Sequence, residues 1–138
     1  MKPQLDITRI ENTIEWLAVS AESYTGKQSI SWYIDQIGRL CVEHAFANGQ
    51  MAEAKRQWQE QKKKAYQSIA TDPVFQKVSF SPMLAKEYIA ASCDEQQYNY
   101  DVCERCSRTL ARHLELLQTC VSALKEEMRA HLHSTNKQ

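Results

Sequence analysis

Residues 103–132 read CERCSRTLARHLELLQTCVSALKEEMRAHL, and their spacing decides the fold. Cys103, Ser107, Leu110, Leu114, Leu117, Val121, Leu124, Met128 and Leu132 recur at intervals of 4, 3, 4, 3, 4, 3, 4 and 4. That alternation keeps an apolar seam on one side of a helix for about four heptads. No Gly or Pro interrupts residues 83–138. Upstream, Ser81-Pro82 supplies a capping serine and the proline that favours a first helical position. Leu84, Tyr88, Ile89, Cys93, Gln97 and Tyr100 then carry the stripe into the seam. The pattern predicts one helix over about 82–132, weakest at Cys93-Asp94-Glu95, with a polar tail that frays.

Moving toward the N-terminus, residues 71–81 lack helical period and are predicted to be a connector. Its apolar Val74, Phe75, Val78 and Phe80 should pack down. Before it, Ile30, Tyr33, Ile34, Ile37, Leu40, Cys41, His44, Ala47, Met51, Ala54, Trp58, Gln61, Ala65 and Ile69 predict a helix over about 30–70. Ser29 or Ser31 caps its start, and Thr71-Asp72-Pro73 ends it. Asn48-Gly49 is a turn-forming dipeptide inside that run. The stripe stays in phase across it, which favours one continuous helix. A first helix is expected over about 7–24 from Ile10, Ile14, Leu17, Ala21 and Tyr24, capped by Asp6 or Thr8 and stopped at Thr25-Gly26.

The expected fold is therefore all-α, a single helical domain over residues 1–138. It should be an extended hairpin or coiled-coil-like bundle of one short and two long helices. Three Gly and three Pro in 138 residues are too few for the turns of a sandwich or barrel. Helices of roughly 60 and 75 Å, at 1.5 Å per residue, exceed the dimensions of a compact domain of this length, whose radius of gyration would be about 14 Å. Homo-oligomerisation is expected, with Leu110, Leu114, Leu117, Val121, Leu124 and Met128 as the contact surface.

Seventeen basic and seventeen acidic side chains cancel, which argues against a protein that coats nucleic acid by bulk charge. The sequence has no 18-residue apolar run, and MKPQLDITRIENT is too polar for a signal peptide, so a cytoplasmic protein without membrane contact is expected. Five cysteines in that setting read as reduced thiols.

Cys103-Glu104-Arg105-Cys106 is a C-x-x-C pair and the weak candidate for metal. Its further ligands would have to come from Cys93, Cys120, His113, His131 or His133. No second close pair accompanies it, and it lies deep inside a helix rather than at the N-terminal position that activates a thiol. Two core thiols one turn apart are the favoured reading, with no cofactor. His44 and His113 sit on or beside apolar stripes. No Ser/His/Asp set, glycine-rich phosphate loop or H-E-x-x-H motif occurs, and a non-enzymatic protein is expected.

Two basic features remain. Residues 51–70 carry Lys55, Arg56, Lys62, Lys63 and Lys64 against Glu53 and Glu60, a local charge of +3. Arg105, Arg108 and Arg112 form a ridge at i, i+3 and i+7. Trp58, Tyr66 and Tyr98 offer stacking faces nearby. Cation tracks mixed with aromatic rings are how single-stranded nucleic acids are bound, although a charge run is also the ordinary solvated face of a helix.

Ser81-Pro82 through Lys86-x-Tyr88, Gln97-Tyr98, Cys106-Ser107-x-x-Leu110, and Val121-Ser122-Ala123-Leu124-Lys125-x-x-Met128-Arg129 share an order and spacing with small helical proteins of phages and prophages. Over residues 50–130 the chain most resembles the UvsY-type recombination mediators of T-even phages. The resemblance implies a ring-forming protein that binds single-stranded DNA, contacts a recombinase and a single-strand binding protein, and loads the first by displacing the second. The Lys55–Lys64 stretch would carry the DNA contact. The even charge balance departs from the excess positive charge such a role suggests. An assembly adaptor or inhibitor without DNA binding is the alternative, and a thiol-based metal sensor is a third reading.

Overall fold

The computed structural model describes residues 4–26, 28–77 and 81–136. Among them the chain is all-α. Helix α1 (Ile7–Ser20) runs into a 3₁₀ turn (Ala21–Thr25). Then come α2 (Ile30–Thr71), the short α3 (Pro73–Gln76), α4 (Pro82–Ser92) and α5 (Asp94–Asn136).

The Asp6 side chain caps α1 by accepting the backbone N–H of Arg9. The helix was expected to reach residue 24, but its α-geometry ends at Ser20 and tightens into the 3₁₀ turn. Tyr33, in the first turn of α2, fixes this end. Its hydroxyl donates to the carbonyls of Tyr24 and Gly26 at 2.8 and 2.9 Å, satisfying acceptors that a helix terminus leaves open.

Helix α2 is unbroken for 42 residues, about 63 Å, and passes straight through Asn48-Gly49. The Asn48 side chain is held from across the bundle by the Ser107 hydroxyl. Leu40, Ala47 and Ala54 are wholly buried on either side of the dipeptide, so packing overrides a local turn preference.

The predicted helix 82–132 is instead two helices that meet at Cys93. There the backbone leaves helical geometry (φ −108°, ψ 11°) and the Cys93 N–H bonds to the Ala90 carbonyl, one residue short of the α pattern. Ser92 contributes by turning its hydroxyl back onto the Tyr88 carbonyl, a bond that bends helices. The Ser92 carbonyl receives the Gln61 side chain from α2. Asp94 and Glu95 thereby become the first turn of a new helix, where its dipole favours negative charge. The predicted connector 71–81 contains α3, whose first turn is capped by the Asp72 side chain. Phe75 packs 4.9 Å from Tyr88, but Val74 is 67% exposed rather than packed down. Val78 and Phe80 lie outside the described residues.

Helices α2 and α5 run antiparallel in a register that sets Asn48 beside Ser107, Trp58 beside Tyr100 and Gln61 beside Ser92. Helix α1 lies along the first half of α2, with Arg9 on Glu43 and Tyr24 on His113 of α5. Three helices thus enclose one core: Ile10, Leu17, Tyr24, Tyr33, Leu40, Ala47, Ala54, Val102, Cys103, Cys106, Leu110 and Leu117. Past that section the rest of α2 continues with α4 as a two-helix arm around Ala65, Ile89 and Cys93. At the opposite end α5 outruns its partners.

The single chain already covers much of the seam expected to meet another copy. Leu110 and Leu117 are fully buried inside the single chain, and Leu114, Val121 and Leu124 pack partly buried on the same core. Helix α1 and its 3₁₀ turn cover the seam. Only its end, Met128 and Leu132, is exposed. No helix among the described residues is long and apolar enough to cross a membrane.

Candidate nucleic-acid interface

Each candidate cation owes its placement to where its helix lies. Lys55, Arg56, Lys62, Lys63 and Lys64 sit on the arm half of α2. Arg105, Arg108 and Arg112 sit on α5 within the three-helix section. In the antiparallel register Lys63 is level with about residue 91, so Arg108 lies roughly 25 Å further along the axis. The Lys62–Lys64 end of the first feature is thus far from Arg108, whereas Lys55 and Arg56, level with about residues 98–99, come within about 10 Å of Arg105 along the axis.

The two basic features also differ in how many cations are free. Arg56 is held by two carboxylates: its Nη2 and Nε reach Glu53 at 2.6 and 3.0 Å, and its Nη1 reaches Glu60 at 3.0 Å. Glu53 is itself buried and also accepts the Gln57 amide at 3.2 Å. Arg56 therefore braces its own helix. Arg108 pairs with Glu104 at 3.5 Å. Lys55, Lys63, Lys64 and Lys86 are exposed and make no ion pair with any described residue. The Lys62 ammonium sits 4.1 Å above the Trp58 ring, a cation–π contact that restrains the side chain and leaves its charge available.

Among the described residues several grooves mark the surface, and the linings of four sort them. One of about 390 Å³ lies between α1 and α2, with Arg9 and Arg39 facing Asp6 and Glu43. Arg9 is committed there to Glu43 and to the Phe46 ring at 3.6 Å, and Arg39 to the Trp16 ring at 4.8 Å. The ridge groove combines Arg105 and Arg108 with Asp101, Glu104 and Tyr98, whose hydroxyl donates to Glu11. A third, along the end of α5, is apolar and lined by Leu124, Met128 and Leu132 with Glu127 and His131. The fourth, of about 270 Å³, lies on the arm at the α4–α5 bend. It is lined by Trp58, Lys62, Tyr66, Lys86, Ile89, Ala90, Cys93 and Gln97. Two cations and two aromatic rings meet there with no carboxylate.

Lys86 is the residue that sequence reasoning missed. It is the only cation on α4, and a lone lysine gives no pattern. It belongs to the site because α4 folds back beside the end of α2.

The C-x-x-C cysteines are core residues. Cys103 and Cys106 are wholly buried, and burial pushes each thiol up to about 11. A thiol held protonated is a poor nucleophile and a poor metal ligand. Among the described residues no three His, Cys, Asp or Glu side chains are gathered as a metal would require. His44 lies 3.4 Å from the Ser107 hydroxyl and His113 lies 3.0 Å from the Tyr24 hydroxyl, both as links between helices.

Known protein families, curated proteins and solved structures give no match to the chain.

Proposed function

We propose that the protein is a non-enzymatic accessory factor that binds single-stranded nucleic acid along the arm. The observation that carries this reading is the arm groove, where Lys62 and Lys86 flank Trp58 and Tyr66 without an opposing carboxylate. Lys55, seven residues before Lys62, extends that cationic face along α2, while Lys63 and Lys64 add charge on the flank and far side of the same helix. An elongated protein built from packed helices and a projecting arm suits a track for a strand better than a substrate pocket. In the fuller form suggested by the resemblance, it acts in the cytoplasm of a phage-infected or prophage-bearing cell as a recombination mediator. Copies assembled together would multiply a weak single-protomer contact into useful affinity, and would contact a recombinase or a single-strand binding protein.

The test is oligonucleotide binding at several salt concentrations. Each phosphate neutralised on a single strand contributes a slope of about −0.7 in log affinity against log salt. Reversing Lys62, Lys63 and Lys64 to Glu should abolish binding while helicity is retained. Reversing Arg105, Arg108 and Arg112 should matter less, because the groove of Arg105 and Arg108 already holds Asp101 and Glu104. An absence of binding by the native chain at ~50 mM salt would overturn the reading. An assembly adaptor would take its place, favoured by the exposed Met128 and Leu132 at the end of α5.

A further inference from the structure

The two rings of the arm groove are not equivalent. Trp58 already has two partners: the Lys62 ammonium lies 4.1 Å from its centroid, and the Tyr100 ring lies 5.6 Å away at 38°. Tyr66, one helical turn beyond Lys62 on α2, is 61% exposed and makes no ring contact with any described residue. Lys86 approaches the same groove from α4, so an open aromatic ring is bracketed by a cation on each helix. Gln97 lies in the same lining, and its side-chain amide has no partner among the described residues.

We propose that this groove is a nucleobase subsite, in which one unstacked base lies on the ring of Tyr66 and the phosphates flanking it are held by Lys62 and Lys86. The inference rests on the nucleic-acid reading above and adds to it a contact with the base itself. Trp58 acts as a floor that restrains Lys62, so less side-chain freedom is lost when a phosphate arrives. Stacking on tyrosine is indifferent to base identity because every base has a π-face. The Gln97 amide carries both a donor and an acceptor for a base edge. The site therefore discriminates strongly between bases and no bases, and only weakly among bases.

The experiment uses the full chain, a fluorescently labelled oligothymidylate, and an oligonucleotide of equal length whose sugars carry no bases. The wild type should bind the first more tightly. Tyr66→Ala should weaken that binding roughly 5- to 150-fold, the span that corresponds to about 1–3 kcal/mol of stacking. It should leave the salt slope unchanged, because no phosphate contact is lost. Tyr66→Phe should bind as the wild type does. Lys86→Gln should reduce the slope by about 0.7, on both oligonucleotides. A 2-aminopurine placed in the strand should be quenched by wild type and not by Tyr66→Ala. The subsite is overturned if both oligonucleotides bind wild type equally, or if Tyr66→Ala binds as wild type does, while salt-dependent binding persists. If the wild type binds neither oligonucleotide, the subsite and the broader nucleic-acid reading fall together.

Discussion

Tyr24 and His113, 89 positions apart in the chain, meet through a 3.0 Å hydrogen bond between the phenolic oxygen and Nδ1, with their rings edge-on at 5.4 Å. The contact pins the 3₁₀ turn after α1 to the middle of α5. Burial shifts both groups toward their neutral forms, raising the Tyr24 hydroxyl above 10.0 and lowering His113 below the usual 6.5. A neutral imidazole whose Nδ1 accepts a hydrogen bond from the tyrosine hydroxyl fits that environment.

A pH dependence follows. The folded state binds the His113 proton less readily than the unfolded state does, so acid favours unfolding. The contribution of His113 should be fully present above the unfolded value near 6.5 and lost as pH falls through 6.5 toward the lower folded value. Urea midpoints between pH 8 and pH 5 should decline for the wild type. They should decline less for His113→Gln. Equal slopes in the two proteins would exclude His113 as the source.

How much of this was legible in sequence differs from element to element. The unbroken α2 could be read because its stripe keeps phase through Asn48-Gly49. The bend at Cys93 could not be read from the stripe, because Ile89 and Cys93 are four residues apart on either reading. Its signal was polar: Ser92 offers a back-bonding hydroxyl, and Asp94-Glu95 is an acidic first turn. The heptad from Leu110 onward showed that the surface is buried without showing against what. A partner helix in the same chain and one in another copy impose the same spacing. Periodicity was equally silent on Gln50. Its buried amide accepts the Asp6 N–H at 2.6 Å and donates to the Gln4 carbonyl at 2.9 Å, tying the N-terminal segment to α2. In the site, Lys62 and Tyr66 were legible as neighbours on one helix, but Lys86 joins them only through the fold.

The two ends of the seam should respond differently to charge. Leu117→Asp places a carboxylate in the intramolecular core and should cost several kcal/mol, seen as a large loss in the urea midpoint. Leu132→Asp, at a residue 60% exposed, should leave the unfolding free energy within about 0.5 kcal/mol of wild type. If copies assemble through the free end of α5, Met128→Asp with Leu132→Asp should reduce the mass measured by light scattering while helicity is kept. Comparable destabilisation by Leu117→Asp and Leu132→Asp would mean that the end of α5 is packed as deeply as its middle.

The thiols should separate by reactivity. Cys41 is exposed, Cys120 is partly covered, and Cys93, Cys103 and Cys106 are buried. A thiol reagent at pH 8 should modify Cys41 quickly, Cys120 more slowly, and the other three only as the protein unfolds. Cys103→Ala with Cys106→Ala should cost roughly 1–3 kcal/mol, as small core truncations do. Rapid labelling of all five thiols in the native protein would contradict the burial of the pair.

Gly38 and Gly49 lie inside α2, and a Cβ added at either meets nothing within 4 Å. Both have ordinary helical backbone, since no glycine among the described residues has positive φ. Neither flexibility nor space therefore explains their presence, and alanine should be the better residue at both. Relative to alanine, glycine inside a helix costs about 0.5–1 kcal/mol. Gly38→Ala and Gly49→Ala should each raise the unfolding free energy by that amount, seen as a higher urea midpoint at unchanged denaturant slope, with near-additive effects in the double variant. Oligonucleotide binding should be unaffected, because both positions lie outside the arm groove. Gly49→Ala carries the sharper consequence. A loss of stability there would show that α2 bends at Asn48-Gly49 in solution. Gained stability with lost binding would identify that bend as part of how the arm engages a strand.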